Sequence, residues 1–369
     1  MKLTEKFGMV YYLLPYLKVI DNKIGLILSI FLGKNNYLIK LKDNKINFKS
    51  SEISFLINFL GLIRYCSSYE IISNQKIIFT IDLKNSFAIP LKNMSNEDKK
   101  LIETLYYGLK FGGNFETDNS TLKSIRDKTL SITTKNNKKI IETSSGIKFY
   151  IDSINPGNTI AEAFIMDVHN ISSSDDYNNK IVVDIGAECG DTPLYYANKG
   201  ATVFAFEPIK ANFDAMLRNL SLNPELSKKI TPINAGIGKD EELKFFHSAR
   251  EDIADSSSFV YNAHDDDVIL ENVQGYTLSS AMKKFNIPHI DFLKTDCKGC
   301  EFFLKEDDLV KVDKVKIEYE SFTYTKHKLD ELTKVLDNSN FEYVLYRLEP
   351  SRDNYSITEF GHLYGEKRK

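Results

Sequence analysis

The sequence predicts an α/β protein with a doubly wound sheet, mostly parallel with an antiparallel edge strand, preceded by a smaller α+β domain. Three observations lead to this fold class. A short β-branched strand at residues 181–183 runs into glycines at Gly186 and Gly190, which is the pattern of a buried parallel strand that leads into a helix. A second apolar strand, residues 202–206, follows soon after. From residue 146 onward strands and helices alternate, as they do in parallel sheets.

Residues 146–369 are expected to form the α/β domain. It opens with a hairpin-like segment, a helix and a polar turn, at residues 148–151, 160–169 and 172–179. Later strands are predicted at residues 230–235, 292–295, 315–319 and 341–346, with a final strand near 355–358. The carboxyl ends of parallel strands meet in one crevice, so Asp184, Glu207, Asn234 and Asp296 are expected to lie close together there.

Residues 1–145 are expected to form the α+β accessory domain, with a role in substrate recognition or oligomerisation. Short apolar runs between turn clusters predict strands at residues 37–41, 46–48, 76–81 and 87–91. Apolar residues from Ile53 to Ile63 recur at helical spacing, and Ser95 with Asp98 resembles a capping box that opens a second helix. Residues 131–145 are polar and lack a period, which predicts either a linker or an exposed hairpin.

The turn after the first strand of the sheet is the candidate ligand site. Asp184 stands at the carboxyl end of that strand, and Gly186 with Gly190 permits a tight turn and close backbone approach. A helix is expected to start near residues 191–193, so a ligand would lie against its amino terminus. Glu207 ends the second strand, at the separation where an acidic side chain hydrogen-bonds a ribose diol in a doubly wound fold.

The charge of this turn favours a cationic ligand over a diphosphate. A G-x-G-x-x-G dinucleotide fingerprint that starts at Gly186 requires glycine at the positions of Glu188 and Asp191. Two carboxylates repel a pyrophosphate, whereas the sulfonium and amino groups of S-adenosylmethionine tolerate them. The sequence therefore predicts S-adenosylmethionine as the cofactor.

Three separated motifs carry a family resemblance. They are DIGAECGDTPLYYANKGATVFAFEP from Asp184, NAGIG from Asn234 and DFLKTDCKGCEFFL from Asp291. In order and spacing these motifs resemble the FkbM family of S-adenosylmethionine-dependent methyltransferases, and the resemblance covers residues 146–369. It implies a Rossmann-like class I methyltransferase sheet in this part of the chain.

The resemblance also implies a donor pocket at the carboxyl ends of the first three strands. Glu207 would bind the ribose, and Asn234 with Ala235 would lie near the adenine. The implied cofactor-binding residues are Asp184, Gly186, Ala187, Glu188, Gly190, Asp191, Glu207, Pro208, Asn234 and Ala235.

The fourth-strand motif supplies the implied catalytic residues, Asp296, Glu301 and Lys298. The family pattern reads D-x-E-G-x-E, and this chain has Lys298 in place of the middle acid. Asp296 or Glu301 can act as the base for an acceptor hydroxyl, and Lys298 can lower their pKa or bind an acidic acceptor. A different role for Glu301 is that of a carboxylate that binds free backbone amides at a helix start.

The activity expected from the resemblance is O-methylation of a hydroxyl on a sugar, a glycan or another small metabolite. Methyl transfer mainly needs alignment of donor and acceptor and exclusion of water, so no metal is expected. Lys298 supports one alternative, a catalytically inactive methyltransferase-fold protein that serves binding or scaffolding. The long segment between Gly238 and Ile290 is a candidate for acceptor recognition, with His264 in it as a candidate base.

The cysteines raise a separate question about the pocket. Cys297 and Cys300 have the spacing of half a zinc site or of a redox pair. If the first and fourth strands are neighbours, Cys189 would approach them, and three thiols with one further ligand can hold a metal. The alternative is that these are small side chains packed under the cofactor.

Composition argues against several partners. A net charge of -3, with acids and bases mixed along the 369 residues, gives no basic footprint for nucleic acid.

No apolar stretch reaches the length of a spanning helix, and no small-residue cleavage site follows the apolar run at residues 10–17, so a cytoplasmic protein is expected. The expected partner is a small-molecule or glycan acceptor, with homo-oligomerisation left open. The cluster of Tyr11, Tyr12 and Tyr16 leaves two interpretations, core or interface, which is the more frequent role of such a cluster, and a peripheral membrane contact.

Overall fold

A computed structural model of the chain describes residues 3–42, 44–72, 75–81, 86–91, 93–111, 114–117, 129–154, 158–169, 176–247, 268–322, 329–348 and 357–368. The chain divides into two compact units, Met1–Met166 (unit 1) and Asp167–Lys369 (unit 2). Within the described ranges, no helix has both the length and the apolar character needed to cross a membrane.

Unit 1 mixes helices with small sheets. Its α-helices are α1 (Leu3–Leu13), α2 (Lys23–Phe31), α3 (Ile53–Tyr65) and α4 (Asn96–Lys110). Its strands are β1 (Asn36–Leu41), β2 (Asn44–Lys49), β3 (Ser68–Ile72), β4 (Lys76–Thr80), β5 (Ser86–Pro90), β6 (Asn114–Thr117), β7 (Thr129–Lys135), β8 (Lys138–Thr143) and β9 (Lys148–Tyr150). Shorter helical turns lie at Leu14–Val19, Ser50–Glu52 and Ile151–Ser153, and a π-helix at Ala161–Met166.

Several predictions for unit 1 are confirmed. The four predicted strands correspond to β1, β2, β4 and β5, and the two predicted helices to α3 and α4. The capping box is present: Ser95 Oγ accepts a hydrogen bond of 3.1 Å from the Asp98 amide, and the Asp98 carboxylate accepts one of 3.1 Å from the Ser95 amide. A side chain that satisfies a free amide at a helix start fixes where the helix begins.

The segment predicted as a linker or a hairpin is a hairpin. β7 and β8 pair antiparallel, and β9 adds to β8, so the expected boundary at residue 145 falls inside a four-stranded sheet. The polar residues 135–139 form its exposed turn, while Leu130 and Ile141 are buried. The compact units divide after Met166 instead.

Unit 2 alternates strands and helices. Its strands are β10 (Ile181–Ile185), β11 (Thr202–Phe206), β12 (Ile230–Ile233), β13 (Gly236–Ile237), β14 (Glu242–His247), β15 (Val268–Tyr276), β16 (Ile290–Thr295), β17 (Val312–Phe322), β18 (Phe341–Leu348) and β19 (Ile357–Lys367). Its helices are α5 (Asp191–Asn198), α6 (Lys210–Ser221), α7 (Pro224–Ser227), α8 (Leu278–Lys284), α9 (Glu306–Leu309) and α10 (Leu329–Asn338), with a 3-10 turn at Cys300–Phe303.

Seven of these strands form one sheet, in the order β12-β11-β10-β16-β17-β19-β18. The five strands from β12 to β17 are parallel to one another. The chain runs outward from β10 through β11 to β12 and then returns to the other side of β10 with β16. This reversal is the switch point at which the carboxyl ends of a doubly wound sheet open into a crevice.

The antiparallel strand does not lie at the edge, contrary to the expectation from the sequence. β19 pairs antiparallel with both β17 and β18, and β18 is the edge strand. The helix α10 carries the chain across to β18, which therefore runs in the same direction as β17. The returning strand β19 fills the gap between them, and its backbone groups on both sides are satisfied by strand pairing.

The two faces of this sheet differ in chemistry. Val183, Leu293, Val315 and Leu363 belong to a large apolar cluster on one face, together with residues of α8 and α10. Side chains of a strand alternate between faces, so their neighbours in sequence point the other way. There Asp184, Lys294, Lys316 and Tyr364 stand in one register row across four strands.

A second, three-stranded sheet has the order β13-β15-β14. β14 and β15 come from the long segment that the sequence predicts as a site of acceptor recognition, and β13 lies just before it. Residues 248–267, with the candidate base His264, lie outside the described residues.

Candidate active site

The turn between β10 and α5 lies close to the fourth-strand motif. Gly186 has a φ of +79°, and a Cβ atom added there would lie 1.9 Å from the Asp296 carbonyl oxygen. Gly190, with a φ of +86°, is the N-cap residue of α5, and an added Cβ would lie 2.9 Å from Met216 Cγ. Both positions therefore require glycine, because a side chain would have the wrong backbone conformation and no space.

The turn is also fixed to the second strand. The amides of Gly186 and Ala187 donate to the Phe206 carbonyl oxygen, at 3.0 and 3.1 Å. The Asp296 amide donates to the Ile185 carbonyl oxygen at 3.0 Å. Predicted site residues from three strands are thus held together by backbone hydrogen bonds.

Glu207 is buried at the end of β11 and holds the turn in place. Its two carboxylate oxygens accept hydrogen bonds of 2.9 Å from the amides of Glu188 and Ile209. Burial raises the pKa of Glu207 to about 7, although these amides and Lys294 favour the ionised form. The carboxylate also accepts a hydrogen bond from the Asn212 side chain, which leaves lone-pair capacity for one further donor, such as a ribose hydroxyl.

Asn234 links the third strand end to the second. Its side-chain amide donates to the carbonyl oxygens of Glu207, at 2.9 Å, and of Pro208, at 2.8 Å. The side chain of its neighbour Ala235 is buried in the apolar cluster, and that of Ala187 is buried too. Any ligand contact of these two alanines must therefore come from their backbone.

Lys294 lies at the centre of the acidic residues and was not predicted. Its ammonium Nζ lies 3.0 Å from Asp184 Oδ1 and 3.9 Å from Asp296 Oδ2, and it donates a hydrogen bond of 2.8 Å to the Gly186 carbonyl oxygen. Burial opposes the charge of Lys294, but the carboxylates of Asp184, Asp296 and Asp191 outweigh burial and raise its pKa. The lysine therefore stays charged under the turn.

The pKa values of the acids around Lys294 are shifted in different directions. Burial raises the pKa of Asp184, whose Oδ2 also accepts a hydrogen bond from the Thr192 hydroxyl. Burial likewise raises the pKa of Asp191 to about 7. Burial acts in the same sense on Asp296, but the ammonium groups of Lys294, Lys298 and Lys316 outweigh it, so the pKa of Asp296 is lowered. One-third of the Asp296 side chain is exposed, at 33%, which makes it a carboxylate that an acceptor can reach.

The loop after β16 is crosslinked. Cys297 and Cys300 form a disulfide, and between them Lys298 and Gly299 both have positive φ angles, 54° and 113°. The ammonium of Lys298 lies 3.0 Å from Glu320 Oε1. The lysine that replaces the middle acid of the family pattern is thus paired with a carboxylate from the neighbouring strand β17.

Glu301 is fully buried and binds backbone amides. Its Oε2 accepts a hydrogen bond of 2.8 Å from the Gly299 amide, and its Oε1 one of 3.3 Å from the Glu320 amide. Burial raises the pKa of Glu301 to about 8. This geometry corresponds to the amide-binding alternative, and it joins the crosslinked loop to β17.

The polar face of the sheet adds four residues that the sequence analysis missed. Glu318 and His362 are register partners on β17 and β19, with His362 Nδ1 3.5 Å from Glu318 Oε2. Lys316 Nζ lies 3.0 Å from His169 Nδ1, and both residues are buried. Burial, and then the charge of Asp296, raise the pKa of Glu318 well above its usual range. Burial and Lys316 lower the pKa of His362 to about 4.

The three cysteines near the site do not form one cluster. In the part of the chain that the structure describes, Cys189 is buried and outside the disulfide, and its Sγ donates to Asp191 Oδ1 at 3.9 Å. Cys297 and Cys300 lie near Glu301, but their sulfurs are joined to each other. A metal needs thiolates as ligands, so this disulfide must be reduced before the pair can bind one.

An α/β sheet with this switch point and a glycine turn among carboxylates is the architecture of a nucleoside-binding enzyme domain. Residues 184–345 match the family model described as Methyltransferase FkbM domain. This part of the chain is therefore similar to FkbM methyltransferase domains, and the protein is a methyltransferase with S-adenosylmethionine as its cofactor.

Several solved structures are similar to this chain, all at low identity. The precorrin-6y C5,15-methyltransferase from Geobacter metallireducens is 10% identical, with 52% of this chain and 81% of that chain covered and a TM-score of 0.30. TYW2 from P. horikoshii, in complex with MeSAdo, is 13% identical, with 65% and 72% covered and a TM-score of 0.34. The N-terminal domain of EvdMO1, in the presence of SAH and D-fucose, is 8% identical, with 51% and 76% covered and a TM-score of 0.32. No curated protein matches the sequence.

Proposed function

We propose that unit 2 binds S-adenosylmethionine across the carboxyl ends of β10, β11 and β12 and methylates a hydroxyl of a sugar, a glycan or another small metabolite. The observation that carries this proposal is the pair of carboxyl groups on the acceptor side, Asp296 and Glu318. Asp296 follows the last residue of β16, and Glu318 lies on the neighbouring strand β17, one position beyond the register partner of Thr295. Their environments move their pKa values in opposite directions, which favours the ionised form of Asp296 and the protonated form of Glu318.

The chemistry of the turn supports the donor. Among the described contacts, the buried ammonium of Lys294 is the cation that balances the acids of the turn. These acids are Asp184, Glu188, Asp191 and Glu207. This set suits a ligand with a positive charge and a ribose diol, and it disfavours a diphosphate. Glu207 is placed to bind the diol, and Asn234 to bind near the base. Ala187, Pro208 and Ala235 would contribute backbone and shape only.

When bound, S-adenosylmethionine supplies an electrophilic methyl group with a thioether leaving group. The chain's part is to place the acceptor oxygen and to take its proton. Asp296 is partly exposed and ionised, so its carboxylate can accept the hydroxyl proton. Glu318 in its protonated form can donate a hydrogen bond to a second acceptor oxygen. Lys298 and Glu301 act indirectly, because Lys298 pairs with Glu320 and Glu301 holds the loop to β17.

Calorimetric titration with S-adenosylmethionine, S-adenosylhomocysteine and NADH tests the donor. We expect both adenosyl ligands to bind and NADH not to bind. Absence of binding by both adenosyl ligands would end the proposal. Binding without formation of S-adenosylhomocysteine, in the presence of a panel of monosaccharides, oligosaccharides and sugar nucleotides, would instead favour the binding or scaffold alternative.

The acceptor side is tested by Asp296→Asn and Glu318→Gln. Loss of a general base typically lowers turnover by about 10²- to 10⁴-fold, and we expect a loss of this size for Asp296→Asn with donor affinity within about threefold of the parent protein. Asp313→Asn is a matched control, because Asp313 is the second residue of β17 and lies on the N-terminal side of Glu318. Full turnover by Asp296→Asn would remove Asp296 from the mechanism and leave the donor site untouched.

A further inference from the structure

Two neighbouring helices of unit 1 each expose a row of apolar side chains. On α1 and the turn that follows it the row is Phe7, Tyr11 and Leu14, and on α2 and its C-cap it is Ile24, Leu28 and Leu32. Side chains three or four positions apart lie on one face of a helix. Each of the six is between 47% and 74% exposed. Half of the large apolar side chains that are exposed in the described part of the chain are in these two rows.

These rows are not the faces that hold the helices to the unit. Leu13, Ile20, Leu26 and Ile30 are buried and serve that purpose. The two rows also meet, because the ring of Phe7 packs on Phe31 with centroids 5.0 Å apart. The six exposed residues therefore form one surface, here called the α1–α2 apolar surface. Exposed apolar areas of this kind mark sites of interaction with a partner or a membrane.

The charge around this surface identifies the partner. Residues 1–34 contain five lysines and two carboxylates, a local charge of +3 in a chain whose net charge is -3. Lys18, Lys23 and Lys34 are exposed. A surface with apolar rows and a lysine rim complements an anionic bilayer, which offers acyl chains and phosphate groups together. A second copy of this surface would bring the same positive charge and be repelled.

We propose that the α1–α2 apolar surface docks on an anionic lipid bilayer. The two helices have 11 and 9 residues, so they lie in the plane of the interface rather than cross it. Their apolar rows enter the boundary between headgroups and acyl chains, and the lysines contact lipid phosphates. This proposal is independent of the methyl-transfer proposal, since it uses other residues in the other unit.

The chain contains no tryptophan, so one introduced tryptophan reports its own surroundings. In Leu28→Trp we expect the emission to shift to shorter wavelength on addition of phosphatidylcholine vesicles with about 30 mol % phosphatidylglycerol, and not with phosphatidylcholine alone. Val310→Trp, at an exposed apolar position of unit 2, is the matched control and should not shift. Equal shifts of the two variants, or no shift of Leu28→Trp, would overturn the proposal.

Vesicle sedimentation separates the contribution of the lysines to membrane binding from that of the apolar side chains. Replacement of Lys18, Lys23 and Lys34 by Gln should lower the partition coefficient roughly a hundredfold, since each lysine near an anionic surface contributes about fivefold. Ile24→Ser with Leu28→Ser should lower it by more than about tenfold. The matched control replaces Lys228, Lys244 and Lys334, exposed lysines of unit 2, and should leave it unchanged. If vesicles do not bind and the Ile24→Ser, Leu28→Ser variant instead changes from dimer to monomer by light scattering, the surface is a contact between two copies and the proposal is wrong.

Discussion

The ammonium of Lys294 lies 3.0 Å from the carboxylate of Asp184 across two neighbouring strands, and both side chains are buried. The same ammonium faces Asp296 and the carbonyl oxygen of Gly186. A single cation thus balances a carboxylate of β10 and a carboxylate that follows β16. Removal of one member of such a buried set leaves an uncompensated charge.

Lys294→Met should therefore destabilise the protein. The expected loss is about 3–5 kcal/mol in the free energy of unfolding, measured by urea denaturation at pH 7. The double variant Lys294→Met, Asp184→Asn removes a charge of each sign and should recover part of that loss. A change below about 1 kcal/mol in the single variant would show that the pair is not held in a low-dielectric environment.

Glu207→Gln should weaken donor binding. The amide keeps the shape of the side chain, but only one of its ends accepts hydrogen bonds, so either the Glu188 or the Ile209 amide loses its partner. Hydrogen bonds to a charged group contribute about 1.5–3 kcal/mol, and we expect the dissociation constant of S-adenosylmethionine to rise about 10- to 100-fold by calorimetry. Glu225→Gln, at an exposed position on α7, serves as the control. Unchanged affinity in Glu207→Gln would remove Glu207 from the ribose site.

His362 should make the protein lose stability in mild acid. Its folded-state pKa of about 4 lies below the ordinary value of 6.5, so between these pH values the unfolded chain binds a proton that the folded chain does not. Stability from this group is fully present above pH 6.5 and is lost as the pH falls to about 4. Relative to His362→Gln, the parent protein should lose about 3 kcal/mol over this window.

The parent protein is compared with His362→Gln because other groups change the stability with pH in the opposite direction. Glu207 and Glu301 have raised pKa values in the folded state, so they favour the folded protein as the pH falls. Parallel pH profiles of the two proteins, from denaturant titrations at several pH values, would show that His362 is not held neutral.

Reduction of the Cys297–Cys300 disulfide should loosen the acceptor loop. A crosslink over so short a loop contributes about 2 kcal/mol by the chain-entropy relation, so a dithiol reductant should lower the melting temperature and turnover. The reductant donates two electrons and two protons and becomes a disulfide itself. Cys300→Ser should show the same losses without reductant and no further change with it. An unchanged melting temperature in Cys300→Ser would show that Glu301 alone fixes the loop.

Local signals in the sequence were enough for many elements. β11 was predicted with its observed bounds because a short apolar run stands between Gly200 and Glu207. α4 was predicted from Ser95 and Asp98, whose reciprocal hydrogen bonds need only three residues of separation. The glycine turn after β10 was predicted in the same way, since its glycines and acids are contiguous.

The remaining features depend on pairing between distant segments. A lysine inside a strand ordinarily indicates a solvent-exposed face, and Lys294 is buried because Asp184, 110 positions earlier in the sequence, is its register partner. Glu318 and His362 are brought together by the same kind of long-range pairing, as register partners on β17 and β19. The available signal was the alternation of apolar and charged residues at positions 315–320 of β17, which indicates one charged face of that strand.

The place of β19 between β17 and β18 has a consequence for biosynthesis. The ribosome synthesises β17 and β18 before β19. The edges of β17 and β18 that pair with β19 therefore stay unpaired until residues 357–367 emerge. His362 and Tyr364 arrive with that strand, and the acceptor side of the site is then the last part to form. A nascent chain held at this stage exposes unpaired strand edges and is prone to aggregate, so chaperone dependence should be greatest just before β19 is released.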